Sequence, residues 1–468
     1  MSKTVQLRDG KRQKTQLELD FSVEPKSEAL RRTEEVVEPS VAAHTEESPV
    51  RSERLMEEVC ERENCLQALH RVKSNAGSAG VDGMTVGELT DYLKKEWLAI
   101  KETLLKGTYK PNPVRRVEIP KPDGGKRKLG IPTVLDRFIQ QAMMQVLQKR
   151  WDPTFSKSSY GFRPQRSAHQ AVSQASKHLK AGYNWVVDID LEKFFDRVNH
   201  DRLMAALAKR ISDKRMLRLI RAFLKAGVME DGLVSPVDQG TPQGGPLSPL
   251  LSNIVLDELD RELERRKRRF VRYADDCNIY VRSKKAGDRV MASISKFITE
   301  ILRLKVNAAK SAVARPWERK FLGFTFATPY YGVIKLAVAA KAIERFKERI
   351  RQLTRRRRGV SLEQMLKELS RYLKGWRGYF GFAQTRFALG VLDGWVRRRL
   401  RSYLWAQWKN GYRRVEELMK LGVGKLRAKM FAACHHGPWR LSNTPILNRA
   451  LSPEYFDSIG LPRLIARR

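Results

Sequence analysis

The chain has 468 residues, with 91 Lys and Arg against 52 Asp and Glu, a formal net charge of +39. An excess of that size resists compaction unless a polyanion neutralises it, so nucleic acid is the expected partner and binding should weaken with salt. No apolar run approaches the ~20 residues that cross a bilayer, and the start of the chain reads neither as a signal peptide nor, with Glu18, Asp20, Glu24, Glu28, Glu34 and Glu35, as a transit peptide.

The length predicts about three domains. The four cysteines, Cys60, Cys65, Cys277 and Cys434, form no CxxC pair. That argues against a zinc module and for a reducing compartment.

Residues 1 to ~52 are polar, carry Pro25, Pro39 and Pro49, and read as disordered. A helix is expected over Leu55 to Val72, then a turn-rich loop from Ser74 to Gly83, then a helix from Val86 to Leu105 with an acidic start. Arg115 to Leu129 alternates around Pro122-Asp123-Gly124-Gly125, a hairpin pattern whose far strand bears Lys126, Arg127 and Lys128. An amphipathic helix follows from Arg137 to Trp151. Residues 184 to 190 read as a buried strand ending in an acid, and Leu203 to Leu224 as a helix. A glycine-rich loop, Gly240 to Gly245, leads into a helix from Ser248 to Arg266. Phe270 to Val281 forms a hairpin, and Leu322 to Phe326 another short strand. Beyond ~335 helical patterns dominate, and Arg becomes dense among interleaved Trp, Tyr and Phe.

The most informative stretch is Phe270-Val271-Arg272-Tyr273-Ala274-Asp275-Asp276-Cys277-Asn278-Ile279-Tyr280-Val281. It sets two adjacent acids at the bend of a hairpin that reads as buried on both faces. Carboxylates crowded near a core are costly unless something positive offsets them. Mg²⁺, bound by carboxylates and substrate phosphates, answers that need. Asp190 ends a separate strand, and convergent acids from two strands suit the two metals, about 3.5–4 Å apart, of nucleotidyl transfer. The Leu191 carbonyl beside Asp190 is a further candidate ligand. Phe195 either shields the site from a ribose 2′-OH or packs in the core. Gln243, in the Gly240 to Gly245 loop, has an amide for a nucleotide or template. Lys121 and Arg127 flank the Pro-Asp-Gly turn and suit a triphosphate, or else are solvated. Lys310 either protonates leaving pyrophosphate or is an ordinary surface lysine.

These residues lie in the stretches IPKPDGGKRKLGIPTVLDR, SSYGFRPQRSAHQA, DIDLEKFFDRVNH, GTPQGGPLSPLLSNIVLDELD, FVRYADD, LKVNAAKS and KFLGFTF. In that order they resemble the reverse transcriptases of mobile group II introns, the intron-encoded maturases, over about 60 to 412. The resemblance implies an α+β right-hand polymerase, fingers and palm with an antiparallel sheet, followed by an α-helical thumb or maturase domain. It implies an N-terminal extension over 1–52, a helical extension with a template lid around Ser74 to Gly83 over 53–105, fingers and palm over 106–335, thumb over 336–412, and a short basic DNA-binding-like tail over 413–468. Asp190, Asp275 and Asp276 then look like metal ligands for two Mg²⁺, with Leu191 beside them. Phe195 looks like the sugar gate, and Gln243, Lys121 and Arg127 like the dNTP pocket. Arg355, Arg356, Arg357 and Arg358, with Arg397, Arg398, Arg399 and Arg401, are expected to grip RNA, while most thumb aromatics are expected in the core.

The implied partners are intron RNA, an RNA template with a DNA primer, and target DNA; no membrane is expected. The implied location is a bacterial cytoplasm. The paired cysteines of an HNH endonuclease, which many members carry, do not occur. Priming is therefore expected from another source, such as nascent strands at a replication fork. The alternative is a domesticated relative serving DNA repair or phage defence.

Overall fold

In a computed structural model of the chain, the described residues are 54–120, 125–230, 233–235, 239–241, 244–328, 333–355 and 358–465. The disorder expected for residues 1 to ~52, and the expectations for Lys121, Gln243, Arg356 and Arg357, lie outside them. The described residues form ten strands: β1 Val114–Pro120, β2 Lys126–Ile131, β3 Trp185–Ile189, β4 Val228–Glu230, β5 Leu233–Ser235, β6 Arg269–Tyr273, β7 Asp276–Val281, β8 Ala312–Ala314, β9 Phe324–Phe326 and β10 Leu336–Val338. Helices intervene irregularly, so the class is α+β as expected. The chain divides into two compact units, one from 1–165, 191–266 and 296–306, the other from 166–190, 267–295 and 307–468.

The first unit is built on the helix Val134–Trp151, which buries Val134, Phe138, Ile139, Ala142, Met143, Val146 and Leu147. It starts three residues before the expected Arg137 because the Thr133 side chain accepts from Asp136 N and caps it. The expected helix over 55–72 is two, Leu55–Val59 and Arg62–Asn75, broken at extended Glu61. The helix expected over 203–224 is also two, His200–Ala208 and Lys214–Lys225. Buried Asp213 makes that second break: its carboxylate accepts from Arg215 N and Met216 N, and from Met56 N at 3.2 Å. Arg215 then bridges Asp213 to Glu57. The sheet of this unit runs β2-β1-β4-β5, with β1 antiparallel to β2 and parallel to β4. Strands β4 and β5 have three residues each, too few to show a period.

The second unit contains the antiparallel sheet β6-β7-β3-β8. Helix Ala168–Lys180, closed by a Ser167–Gln170 capping box, lies against β6 and buries Ala171, Val172, Ala175 and Leu179. A second helix, Lys284–Lys296, approaches the sheet at Gly287, where a Cβ would stand 2.4 Å from Val313 Cγ1. Strands β9 and β10 pair separately. Helices Ala340–Leu353, Leu362–Phe380 and Arg386–Gln407 follow, then Gly411–Lys420, Lys425–Ala432, Pro438–Leu441, Pro445–Ala450 and Pro453–Ser458. Their core holds Phe346, Met365, Leu369, Leu373, Trp376, Leu400 and Trp405, with Phe346 and Trp376 rings 4.5 Å apart. Of the aromatics expected mostly in this core, Trp376, Tyr403, Trp405 and Trp408 are buried, Tyr379, Phe380 and Trp395 are half-buried and Phe382 is exposed. No helix of the described residues is long and apolar enough to cross a membrane.

Candidate active site

The second unit gathers the acids. Strand β3 lies between β7 and β8, with Asp188 opposite Asn278 and Ile189 opposite Cys277. Its end delivers Asp190 beside the β6–β7 turn. Tyr273 pairs with Asp276, so Ala274 and Asp275 are the two turn residues. Ala274 has φ 56, the left-handed backbone that tight hairpins take. Asp275 therefore sits in the turn and Asp276 begins β7, while Cys277 to Val281 are buried on both faces. Beneath the turn, fully buried Arg272 donates through Nη1 to Ala274 O at 2.9 Å.

Asp190 is held through its backbone and one carboxylate oxygen. Its N–H donates to Ser311 Oγ at 3.0 Å, its carbonyl accepts from Asn307 N at 2.8 Å, and its Oδ2 accepts from Asn307 Nδ2 at 2.9 Å. Lys310 Nζ stands 3.6 Å from the same Oδ2, on a largely exposed side chain. Two residues earlier, on the same face of the strand, Asp188 Oδ2 accepts from Arg319 Nε at 2.8 Å and Nη2 at 2.6 Å. Arg319 also donates to the Lys310 carbonyl. Burial still raises the Asp188 carboxyl above its ordinary range, against the pull of Arg319. Asp276 is pushed up to about 7, first by loss of solvation and then by the charges of Asp275, Asp188 and Asp190. Asp276 remains open to solvent while surrounded by protein.

Among the described residues no three His, Cys, Asp or Glu side chains form a ready metal cage. The donors are all carboxylate oxygens, strained by mutual repulsion. A hard cation such as Mg²⁺, which takes one or two carboxylates and fills its shell with water and substrate phosphate, fits that set. Asp188, Arg319, Asn307, Ser311 and Arg272 carried no role in the sequence expectations. The two-residue spacing of Asp188 and Asp190 in a strand was the available signal for the first.

The first unit carries the other candidates. Leu191 pairs with Val306 in an isolated antiparallel bridge whose hydrogen bonds belong to its neighbours, Glu192 N to Lys305 O and Asn307 N to Asp190 O. The Leu191 carbonyl thus stays out of that pairing. Phe194 is the buried ring of its pair and Phe195 is only half-buried, 5.3 Å away and edge-on. Core packing is therefore met by Phe194. Arg127 lies exposed on β2, opposite Ile119. At Gly244, φ is 137 and a Cβ would sit 2.4 Å from Gly130 O, so only glycine lets the loop approach β2 this closely. The Ser74 to Gly83 loop is fastened by Arg137 Nη2, which donates to Ser78 O at 2.6 Å.

The arginine expectation is corrected in part. Arg397 is buried and pairs with Asp393 at 2.5 Å and Asp457 at 3.3 Å. Arg401 is buried and donates to Leu451 O, Ser442 O and Asn448 Oδ1. Both fasten the terminal helices and present no charge to a ligand. Arg358 pairs with Glu368 at 2.6 Å. Arg398 lies 4.2 Å over the Trp439 ring, Arg399 donates to Thr354 Oγ1, and Arg355 is exposed.

Residues 119–326 match the family described as reverse transcriptase (RNA-dependent DNA polymerase), and 343–422 match the group II intron, maturase-specific domain. Protein YkfC of Escherichia coli K12 is 40% identical over 223 residues, 46% of this chain and 58% of that protein. The group II intron-encoded protein LtrA of Lactococcus lactis is 39% identical over 206 residues, 44% of this chain and 34% of that protein. The chain thus spans less than two thirds of each of these relatives. The solved structure titled partial Cas6-RT-Cas1--Cas2 complex is similar at TM-score 0.35 and 24% identity over 56% of this chain and 46% of that one. The reverse transcriptase match implies the right-hand polymerase fold and metal-dependent nucleotidyl transfer.

Proposed function

Because this chain belongs to the group II intron reverse transcriptases and maturases, we propose that it copies RNA into DNA from dNTPs and binds intron RNA to assist splicing and retrohoming. The carrying observation is the acid cluster of Asp188, Asp190, Asp275 and Asp276, in which burial first, and then the neighbouring charges, lift Asp276 to about 7. Two Mg²⁺ held by Asp190, Asp275 and Asp276 with the Leu191 carbonyl would neutralise the attacking 3′ oxygen and the triphosphate. Asn307 and Ser311 orient Asp190, and Arg272 fixes the turn that presents Asp275. Lys310, beside Asp190, hands a proton to the leaving pyrophosphate. Arg127, on β2, grips the triphosphate together with Lys121, which precedes it in sequence. Phe195, freed from the core by Phe194, abuts the sugar, and Gln243 contributes its amide to the nucleotide. Catalysis in this scheme is mostly positioning and charge compensation.

In this reading the β6-β7-β3-β8 sheet is the palm and the β2-β1-β4-β5 sheet belongs to the fingers, within 106–335. The helices of 336–412 are the thumb, 53–105 carries the lid over the template, and 413–468 meets target DNA. Exposed Arg355 and the part-covered Arg398 and Arg399 grip RNA phosphates. The maturase-specific match over 343–422 favours this reading over a domesticated repair or defence enzyme.

The test is primer extension on an RNA template with dNTPs and Mg²⁺, comparing wild type with an Asp275→Ala, Asp276→Ala double variant. Extension by wild type alone, with intron RNA binding retained by both, is the expected result. Equal extension by the double variant would remove the acids from the mechanism.

A further inference from the structure

His200 is buried, and it joins two pieces that the nucleotide-selection reading uses. It opens the helix His200–Ala208 and is buried. Its Nε2 is 2.6 Å from the Gly240 carbonyl. A carbonyl only accepts, so Nε2 carries the proton. Nδ1 is then the bare nitrogen, and it is buried with no partner among the described residues. A polar atom left so is costly, which sets this histidine apart from one that merely fills space.

The contact sits in a short backbone lattice. Gly240 N donates to Val198 O at 2.8 Å and Thr241 N to Phe195 O at 2.7 Å. Asn199 pairs with Gln239. Residues 239–241 are thus laid along 195–199. Gly240 has φ 94, and a Cβ there would stand 2.8 Å from Phe195 O and 3.0 Å from Asp196 Cα. The approach leaves no room for a side chain. The carbonyl of Phe195 is therefore tied to Thr241, which is buried two residues before Gln243. The height of the Phe195 ring and the path of Gly240 and Thr241 are set by one piece of backbone, and the His200 proton fastens it at the Gly240 carbonyl.

We propose that His200 is a positioning residue for nucleotide selection, fixing Gly240 and Thr241 against the Phe195 turn and so setting the height of the sugar gate. It touches no substrate. The proposal rests on the reading of Phe195 as the gate.

The experiment is single-nucleotide incorporation on an RNA template by the full chain, measuring kcat and KM for a dNTP and its rNTP. The variants are His200→Ala, His200→Gln and Phe195→Ala, each with a melting curve and a primer–template Kd. His200→Ala should raise the dNTP KM and lower the dNTP preference by about tenfold each, the factor expected for one buried hydrogen bond. The primer–template Kd should hold. His200→Gln places an amide donor near the Nε2 position and should recover most of both losses. Should His200→Ala not fold, His200→Asn, too short to reach Gly240, carries the same expectation. Wild-type KM and preference in a folded His200→Ala protein would overturn the proposal. So would equal loss of kcat, KM and melting temperature in the Ala and Gln variants, which is the signature of packing alone. Unchanged preference in Phe195→Ala would remove the gate reading by itself and leave the KM of the His200 variants to decide the role of His200.

Discussion

Removing the Asp276 charge should stabilise the metal-free protein while abolishing synthesis. Its carboxyl is lifted from 3.8 to about 7, which corresponds to about 4 kcal/mol of unfavourable charge at high pH. Asp276 is open to solvent, so screening reduces this to about 1–2 kcal/mol. The sign follows from linkage. Below the ordinary carboxylate value both folded and unfolded chains hold the proton, and the charge has no effect. As pH rises toward 7 the unfolded chain gives up its proton first, so the penalty on the folded state grows, and it is complete above about 7. Asp276→Asn should therefore melt a few degrees above wild type in EDTA at pH 8, taking about 2–4 °C per kcal/mol for a unit of this size. The gain should be about half as large at pH 5.5. Mg²⁺ should stabilise wild type more than the variant. Differential scanning fluorimetry at the two pH values reads all of this. A variant that melts at or below wild type in EDTA at pH 8 would refute the idea that the folded state, by burial and by its neighbouring acids, penalises the Asp276 charge.

Arg319→Ala leaves Asp188 unpaired beside the acid cluster and should cost about 1–3 kcal/mol of stability and slow primer extension; a stable, fully active variant would count against the Asp188–Arg319 strut. Gly244→Ala should raise the dNTP KM, since a Cβ there would meet Gly130 O and push Gly244 off β2; an unchanged KM would mean the approach to Gly130 is dispensable. Arg397→Ala should destabilise the protein by about 1–3 kcal/mol by taking the guanidinium from Asp393, while Asp457 keeps Arg463, as measured by urea unfolding. Arg355→Ala should leave melting unchanged and reduce the salt slope of RNA binding by about 1, as measured by filter binding across salt concentrations; the opposite pattern for these two arginines would reverse their assignment.

Asp190, Asp275 and Asp276 were legible because acids at strand ends and tight turns break the apolar alternation around them. The hairpin, the strand before Asp190 and the helix Val134–Trp151 carried strong local periods. Helix ends and breaks were less legible. The gap between His200–Ala208 and Lys214–Lys225 comes from Asp213, whose partners Met56 and Glu57 lie far back in the chain. Strands β4, β5, β8 and β10 are three residues long and exist only because a neighbour offers its edge.

The reading of arginines shows the same division. Arg397 and Arg401 look like any basic run, and only the packing of the terminal helices turns them inward. Charge, the acids and their strand contexts are local properties, written in composition and in periods of two and 3.6 residues. Which arginine faces solvent, which phenylalanine of 194 and 195 is buried, and what holds Asp190 by Asn307 and Ser311 depend on contacts between segments distant in sequence. Burial and hydrogen-bond partnership arise only when those segments meet, so the tertiary structure alone decides them.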